Sequence, residues 1–331
     1  METRLLSAED VATHTGIDDV VDAVADAFAA DARGDVQMPA KSYIDLPQYN
    51  GDFRSMPAYL DAGDWDAAAV KWVNVHTDNE EHFGLPTVMG TIIYSDPRNA
   101  FPLALIDGTT ITKLRTGAAA AVATDHLARR DATSLGLVGA GTQAYTQLEA
   151  ISTVRDIDTV VISDIDEEAL SEFIETFEGR FDVRAGTIDE AAACDVLSTL
   201  TPVETPIVER VGDHTHVNAI GADAAGKHEI ADEVLQAATL VIDDYEQCTH
   251  SGEINVPWSQ GLLDDDDIYA ELGHIVTDDV PGRGEDGGPT GVTVFDSTGL
   301  AIQDVAAAHV AYEHAEDADA GTLFSLVGTD I

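Results

Sequence analysis

The segment Leu135–Ala144 constrains the fold most, because an apolar run breaks there into closely spaced glycines and then into a helical pattern. Such a segment predicts a strand, a tight turn and the start of a helix. Gly139 would permit the sharp turn, Gly141 would let backbone approach a pyrophosphate, and Ala144 would allow close helix packing. Amides at the helix N-terminus would then face the phosphates. The residues predicted to bind a dinucleotide here are Gly139, Gly141, Thr142, Gln143 and Ala144.

A glycine turn of this kind also serves as an ordinary structural turn, so the strand that follows it carries more information. Thr159–Ser163 is an apolar, β-branched run that ends at Asp164, where a carboxylate would accept hydrogen bonds from ribose hydroxyls. Asp164 would repel the 2′-phosphate of NADP, and Asp166 occupies a place where an NADP enzyme would need an arginine. The predicted cofactor is therefore NAD.

Patterns on the two sides of this turn predict two kinds of sheet. Downstream, apolar runs alternate with helical patterns, which is typical of a parallel sheet with helices on both faces. Upstream, short strand-like runs separated by turn residues indicate an antiparallel sheet. The predicted strands are 41–46, 51–58, 68–75, 87–94, 101–106, 134–138, 159–163, 182–185, 195–199, 216–220 and 239–243. The fold class is α/β, with a Rossmann-type doubly wound parallel sheet plus a smaller α+β domain that contains the antiparallel sheet.

Helical periodicity completes the assignment of elements. The predicted helices include 7–32, 116–129, 142–153, 167–178 and 305–315. The last of them would return to pack on the N-terminal part of the chain. Asp107-Gly108 is interpreted as a turn after the antiparallel strands, and Arg115 as the end of a further strand.

The composition is strongly acidic, with 62 acidic and 16 basic residues and a formal net charge of −46. The acids are spread along a chain with strong apolar periodicity, so they predict a folded protein whose self-repulsion is screened by salt. We expect a cytoplasmic protein of a halophile, with no nucleic acid partner, since phosphate binding needs basic patches. No apolar run in the sequence is long enough to span a membrane, so no membrane partner is expected. The two cysteines lack zinc spacing and Asp264–Asp267 is interpreted as a solvated turn or the start of a helix, so no metal is predicted.

The scarcity of basic residues makes those that remain informative. The lysines are Lys41, Lys71, Lys113 and Lys227. Lys71 lies in the strand-like run Val70–Val75, where a buried ammonium would need an anionic partner. Arg115 lies beside small residues, and an arginine fork binds a carboxylate in bidentate geometry. Together with a nicotinamide site, these cations predict oxidation of a small carboxylate substrate.

Polar groups and glycines follow several downstream strands, at the sheet edge where ligands of parallel sheets bind. The residues in these positions that we assign to the cofactor are Thr199, Thr201, Gly221, Ser297 and Gly299. Helix capping would explain Ser297 equally well. Asp223 and Lys227 could act as a proton-transfer group and its electrostatic partner. An ordinary loop ion pair would explain their spacing too.

Six motifs between about residue 38 and 310 resemble those of the ornithine cyclodeaminase/mu-crystallin family. They are Lys71-Trp-Val-Asn, Gly84-Leu-Pro-Thr-Val-Met, Leu114-Arg115-Thr116-Gly117-Ala-Ala, Gly139-Ala-Gly-Thr-Gln-Ala, Gly221-Ala-Asp223-Ala-Ala-Gly-Lys227 and Asp296-Ser-Thr-Gly-Leu-Ala-Ile-Gln-Asp304. The resemblance implies a homodimer. Each subunit would have a dimerisation and substrate domain at 1–118, completed by 303–331, and an NAD-binding Rossmann domain at 119–302. It also implies that Thr116 contributes to the cofactor site.

The residue two positions before Met56-Pro57 distinguishes subgroups of this family. In cyclodeaminases it is a glutamate that helps to activate water, whereas here it is Arg54, which cannot act as a general base. The motifs Gln37-Met-Pro-Ala-Lys41 and Gly252-Glu-Ile-Asn-Val256 are similar to those of archaeal alanine dehydrogenases of the family. This resemblance implies reversible, NAD-linked oxidative deamination of L-alanine to pyruvate and ammonia. An ornithine cyclodeaminase, and a mu-crystallin-like ketimine reductase or ligand-binding protein, are the alternatives.

The resemblance also implies roles for single residues. Lys71 would polarise the carbonyl or imine, and Asp223 would manage protons on the amine and water. Arg115 would hold the substrate carboxylate. The substrate-binding residues implied are Lys41, Arg54, Arg115 and Lys227. No role follows for Lys113.

Overall fold

The computed structural model describes residues 1–328. Its strands in chain order are β1 (Thr3–Leu6), β2 (Val36–Gln37), β3 (Ser42–Leu46), β4 (Gly51–Asp61), β5 (Asp66–His76), β6 (Val88–Ser95), β7 (Pro102–Asp107), β8 (Ser134–Val138), β9 (Thr159–Ser163), β10 (Asp182–Ala185), β11 (Val196–Thr199), β12 (His216–Ala219), β13 (Thr239–Ile242), β14 (Ile268–Glu271), β15 (Thr293–Asp296) and β16 (Thr322–Phe324). Its α-helices are α1 (Ala8–His14), α2 (Ile17–Arg33), α3 (Asn79–Phe83), α4 (Gly108–Leu127), α5 (Thr142–Val154), α6 (Glu167–Phe177), α7 (Ile188–Ala191), α8 (Asp232–Ala237), α9 (Tyr245–Ser251), α10 (Asn255–Ser259), α11 (Leu272–Val276) and α12 (Ala301–Asp317).

These elements form two compact units. The first contains Met1–Arg115 and the C-terminal segment that begins at Leu300, and the second is Thr116–Gly299. Residues 329–331 of the predicted C-terminal part lie outside the described residues. The chain therefore leaves the first unit and returns to it after completing the second.

The first unit is built on one mixed sheet with the strand order β16-β1-β7-β6-β5-β4-β2, and β3 pairs with β4. Its neighbours are antiparallel, as predicted, except that β1 runs parallel to β7. Helix α12 packs against α2, β4 and β5. The apolar side of α2, which includes Val20, Val24 and Phe28, is buried. The C-terminal helix thus packs on the N-terminal part of the chain, as its pattern predicts.

The second unit is built on a parallel sheet with the order β10-β9-β8-β11-β12-β15-β13-β14. Side chains alternate between its faces, so Leu135 and Leu137 join one buried cluster while Val138 joins another. The chain runs from β8 to β9 and β10 on one side and returns to β11 on the other. The turn after β8 therefore lies at the topological switch point, where parallel sheets bind ligands.

Three predicted elements differ from the structure. The helix predicted over 7–32 is two helices, α1 and α2, because Thr15 and Gly16 adopt extended conformations between them. Asp107-Gly108 is not a hairpin turn, since the Asp107 carboxylate accepts a hydrogen bond from the Thr110 amide at 2.7 Å and α4 begins at Gly108. Arg115 consequently lies in this helix and not at the end of a strand. In all three cases a local cap or a break in the helix sets the boundary of an element, and apolar periodicity does not predict such boundaries.

Close packing between β8 and α7 gives a test of the parallel sheet. A Cβ atom on Gly136 would lie 2.0 Å from the carbonyl oxygen of Ala191, whereas one on Gly291 would meet nothing within 4 Å. Gly136→Ala should therefore lower the free energy of unfolding by at least about 2 kcal/mol, because backbone must move to relieve the overlap. Gly291→Ala should change it by less than about 0.5 kcal/mol. Urea denaturation in molar KCl measures both, and equal midpoints would contradict the packing described.

Candidate active site

The first unit holds a buried group of cations around one carboxylate. The ammonium of Lys71 donates to Asp304 Oδ1 at 2.7 Å and to Thr112 Oγ1 at 3.2 Å. Arg115 Nε lies 3.2 Å from the same Asp304 oxygen, and its Nη1 donates to Gln303 Oε1 at 3.1 Å. Both charged partners of Asp304 are buried. The anion that a strand-buried lysine needs is thus supplied by the first turn of α12.

Burial controls the protonation of Lys71. It lowers the pKa of this ammonium to about 7, the Asp304 charge opposes the shift, and the charges of Arg115 and Lys41 add to it. Lys41 is therefore close enough to act on Lys71 electrostatically. A lysine with a pKa near neutrality can exchange its proton during a reaction, which an ordinary surface lysine cannot do at neutral pH.

Arg54 belongs to the same sheet face as Lys71. In the antiparallel register of β4 and β5, Met56 pairs with Lys71 and Arg54 pairs with Val73, and residues two apart on a strand share a face. The guanidinium of Arg54 forms a fork with Asp52 at 3.1 to 3.3 Å, and it lies 5.6 Å from the centroid of the Tyr43 ring. No carboxylate stands at position 54, where a water-activating base would be needed.

In the second unit, the turn after β8 has the geometry of a phosphate cradle. Gly139 has a φ of +108°, which favours glycine, and its amide donates to Ser163 O at 2.9 Å. Gly141 precedes α5, whose N-terminus has no side-chain cap, and a Cβ on Gly141 would meet nothing within 4 Å. Ala144 is fully buried. Exposed amides at the start of a thirteen-residue helix form an anion site, so the residues present fit a dinucleotide pyrophosphate.

Asp164 follows β9 and contacts this turn directly. Its carboxylate accepts hydrogen bonds from the amides of Ala140, at 2.5 Å, and Asp166, at 2.9 Å. Asp166 in turn caps α6 by accepting from the amides of Glu168 and Ala169. The structure therefore brings together the glycine turn and the acid that the sequence predicts for a ribose.

Buried carboxylates hold the loops that carry the other predicted cofactor residues. Glu229 accepts from the amide and hydroxyl of Thr201, at 2.8 and 2.7 Å, and from the amide of Gly221 at 3.0 Å. Asp243 accepts from the Ser297 hydroxyl at 3.0 Å and from the Gly299 amide at 3.0 Å. These two acids fix the loops after β11, β12 and β15.

Two further buried acids continue the hydrogen-bond network from the backbone of Glu229. Glu253 accepts from the Glu229 amide at 2.8 Å, and Asp296 accepts from the Glu253 amide at 2.8 Å. Burial raises the pKa of Glu229, that of Glu253 well above its usual value, and that of Asp296 to about 7. Sequence reasoning assigned no role to these positions or to Asp304, because a single acidic residue in a chain this acidic gives no signal of burial.

The remaining residues that the sequence predicts for the site lie in the second unit, in the loop after β12, at the end of β11 and in α4. Asp223 and Lys227 lie in the loop after β12, where Lys227 Nζ donates to Asp223 Oδ1 at 2.5 Å and both side chains are partly exposed. Thr199 is buried at the end of β11, and Thr116 is buried in α4, where its carbonyl accepts from Gln147 Nε2. No group of three or more potential metal ligands occurs among residues 1–328, the part that the structure describes. Within the same range no helix is long and apolar enough to cross a membrane.

Comparison with known proteins assigns the family. The model of the ornithine cyclodeaminase/mu-crystallin family matches residues 1–319. The chain belongs to this family. It is 44% identical over 325 residues to an alanine dehydrogenase of Archaeoglobus fulgidus, covering 97% of this chain and 98% of that protein.

Two solved structures of similar proteins share the whole fold of this family member. An archaeal alanine dehydrogenase dimer with bound NAD superposes with a TM-score of 0.92 at 43% identity, covering 99% of this chain and 100% of the other. The Δ1-pyrroline-2-carboxylate reductase of Thermococcus litoralis, in complex with NADH and L-proline, gives a TM-score of 0.91 at 34% identity, covering 97% and 99%. The predicted family and fold class are confirmed.

The contact between Asp304 and Lys71 has a pH-dependent consequence. Asp304→Asn should lower the free energy of unfolding by roughly 3 kcal/mol at pH 6, because a buried ammonium loses its counter-ion. Between pH 7 and 10.5 the folded chain binds fewer protons at Lys71 than the unfolded chain, so the penalty of burying this charge declines as pH rises. The loss caused by Asp304→Asn should therefore be smaller at pH 9 than at pH 6.

The matched control is Asp319→Asn, because Asp319 is an exposed acid paired with Arg4 at 3.7 Å. It should change stability by less than about 1 kcal/mol at either pH. Chemical denaturation at pH 6 and pH 9 measures both variants. A loss for Asp304→Asn that is the same at both pH values would show that Lys71 does not titrate in this range.

Proposed function

We propose that this protein is an L-alanine dehydrogenase, which converts L-alanine, NAD⁺ and water reversibly to pyruvate, ammonium, NADH and a proton. The observation that carries the proposal is the buried Lys71, whose lowered pKa and cationic neighbours suit polarisation of a small keto acid. Pyruvate offers the two groups this cluster would recognise, a carboxylate for a guanidinium and a carbonyl for an ammonium. The relative from Archaeoglobus fulgidus, which is 44% identical, acts as an alanine dehydrogenase.

Whatever its exact substrate, the protein is an NAD-dependent amino-acid dehydrogenase, and NAD is its cofactor. NAD-bound and NADH-bound relatives of the same fold confirm both predictions. When bound, NAD⁺ would supply the acceptor for a hydride from the α-carbon of the amino acid. The groups that would hold it are the amides after Gly139, the carboxylate of Asp164 and the loops fixed by Glu229 and Asp243.

Within the proposed reaction, each charged side chain has a chemical task. Protonated Lys71 would draw electron density from the carbonyl or imine, and Arg115 would hold the carboxylate. Lys41 and Arg54 would complete the carboxylate site. Asp223 would take up and return protons on the amine and water, with its charge moderated by Lys227 at 2.5 Å. Asp304 would keep Lys71 and Arg115 in place.

Arg54 favours a dehydrogenase over a cyclodeaminase. Its fork to Asp52 ties the side chain down, and a guanidinium cannot remove a proton from water. A second candidate function is reduction of a cyclic imine, which the structural relative that acts on Δ1-pyrroline-2-carboxylate favours. Both activities reduce a carbon–nitrogen double bond next to a carboxylate. They differ in whether that bond is part of a ring, as in Δ1-pyrroline-2-carboxylate, or belongs to an open-chain imine formed from pyruvate and ammonia.

We further propose a homodimer that forms through the outer face of the mixed sheet. Val70, Ile93, Leu105 and Leu5 are paired directly across four adjacent strands, and Leu5 and Ile93 are 47% and 42% exposed. A contiguous apolar row on an open sheet face is typical of an interaction site. The archaeal alanine dehydrogenase of the same fold is a dimer.

Absorbance of NADH in molar KCl tests the activity. Pyruvate with ammonium should consume NADH, whereas ornithine should give no turnover. Lys71→Met should lower kcat at least 1000-fold, because the carbonyl loses its electrophilic partner. Lys113→Met is the matched control and should retain kcat within about twofold, since Lys113 has no assigned role. Faster reduction of Δ1-pyrroline-2-carboxylate than of pyruvate with ammonium would replace the proposal by the imine reductase, and turnover of ornithine alone would refute both.

Asp164 is expected to set the preference for NADH over NADPH. Asp164→Ser should raise the ratio of kcat/KM for NADPH to that for NADH at least tenfold, because the acid that repels a 2′-phosphate is removed. Glu168→Ser, on an exposed acid in the first turn of α6, should leave the ratio within twofold. Steady-state kinetics with both cofactors measure the ratio. An unchanged ratio in Asp164→Ser would assign the preference to another residue.

A further inference from the structure

Two arginines of this chain differ from all the others. The sequence contains twelve arginines and 62 acidic residues. Ten of these arginines form an ion pair with a carboxylate among residues 1–328. Within the same range, Arg130 and Arg283 form none. Acidic residues outnumber basic ones nearly four to one in this protein, so a guanidinium that forms no ion pair with a carboxylate is unexpected.

Both exceptional arginines line the same cleft of the second unit. The cleft has a volume of about 530 Å³, and its lining includes Arg129, Arg130, Asp131, His214, Arg283 and Thr290. Three of the chain's twelve guanidinium groups therefore meet at one place. Ligand sites for small molecules have volumes of this order.

Neutral acceptors hold Arg283 in position and leave its charge uncompensated. Its Nε donates to the Leu127 carbonyl, and its Nη2 donates to the Gly291 carbonyl at 2.5 Å and to Thr293 Oγ1 at 3.2 Å. Burial, and then the positive charge of Arg129, lower the pKa of this guanidinium. The fold thus fixes this guanidinium, which has no carboxylate partner among residues 1–328, beside Arg129, so a further anion would be favoured there.

The acids near the cleft are already engaged. Asp131 forms a two-bonded fork with Arg129, at 2.9 and 2.6 Å. Glu285 Oε2 accepts from the Gly282 amide at 2.9 Å. His214 Nδ1 must carry a proton, because it donates to the Thr290 carbonyl at 2.9 Å. Among the residues that line the cleft, Asp131 balances Arg129, and Arg130 and Arg283 remain as two positive charges.

The cleft is separate from the dinucleotide turn. Arg130 precedes β8, His214 precedes β12 and Thr290 precedes β15, whereas Gly139, Gly221 and Ser297 follow the same three strands. These strands are parallel neighbours of one sheet. The cleft therefore lies at the amino ends of the strands and the cofactor residues lie at their carboxyl ends, on opposite edges of the sheet.

We propose that this cleft binds a small molecule that carries at least two phosphate groups. The planar fork of arginine matches the oxygens of a phosphate and gives strong, charge-assisted hydrogen bonds. A ligand of two or more negative charges balances Arg130 and Arg283. The volume exceeds what one inorganic phosphate fills, so a pyrophosphate group or a larger phosphorylated molecule suits the site.

Inorganic pyrophosphate is the probe, in calorimetric titrations of the full chain saturated with NAD⁺, which keeps the glycine turn occupied. Wild type should bind one pyrophosphate per chain, with an affinity that falls as KCl is raised. Arg130→Glu should weaken binding at least tenfold. Arg210→Glu should leave the affinity within twofold, since Arg210 is an exposed arginine of the same unit that is paired with Asp189 at 2.7 Å.

Arg130 is exposed and makes no hydrogen bond within the described residues, so its substitution should not disturb folding. Arg130→Gln is a milder second variant, and circular dichroism checks the fold of each. Three results would overturn the proposal: no binding by the wild type, equal weakening by Arg130→Glu and Arg210→Glu, or a self-association without pyrophosphate binding that Arg130→Glu abolishes. The last result would assign the cleft to a protein partner. None of these results depends on turnover of alanine.

Discussion

The buried contact between Lys71 and Asp304 is the interaction on which the first unit depends. It joins the middle of β5 to the first turn of α12 at 2.7 Å, through two residues that lie 233 positions apart in the chain. Replacing such an ion pair by apolar residues is often neutral or stabilising in proteins, whereas removing one partner is strongly unfavourable. Its net contribution to folding therefore does not explain its presence. What it provides is an ammonium with a pKa of about 7 in a fixed place.

The second unit uses carboxylates in a different way. Glu229 and Asp243 accept hydrogen bonds from backbone amides of loops that follow parallel strands. Such loops have no neighbouring strand to satisfy their amides, so a buried acceptor takes that part. The loops at the carboxyl edge are thereby fixed, which is what holding a flexible, charged dinucleotide in one conformation would require.

Because the composition is strongly acidic, the position of each basic residue is informative about its role. In most proteins, exposed lysines and arginines are too common for their positions to be informative. Here three of the four lysines, Lys41, Lys71 and Lys227, belong to the motifs that resemble the family. Ten of the twelve arginines form an ion pair with a carboxylate among residues 1–328. Such scarcity made the cations of the candidate substrate site visible in the sequence, and it also made Arg130 and Arg283 stand out in the structure.

The sequence by itself determined the features that depend on neighbouring residues. The glycine turn after β8, the acid at Asp164 and the alternation of strands and helices follow from local periodicity and backbone freedom, and each is found where the pattern predicts it. It also indicated that Lys71 needs an anion, since desolvation alone demands one. Only the tertiary structure decided that Asp304 is this anion, that Arg115 lies in a helix, and that Glu229 and Asp243 hold the loops that are predicted to bind the cofactor. These facts depend on contacts between residues far apart in the chain, and no local pattern distinguishes one acid among 62.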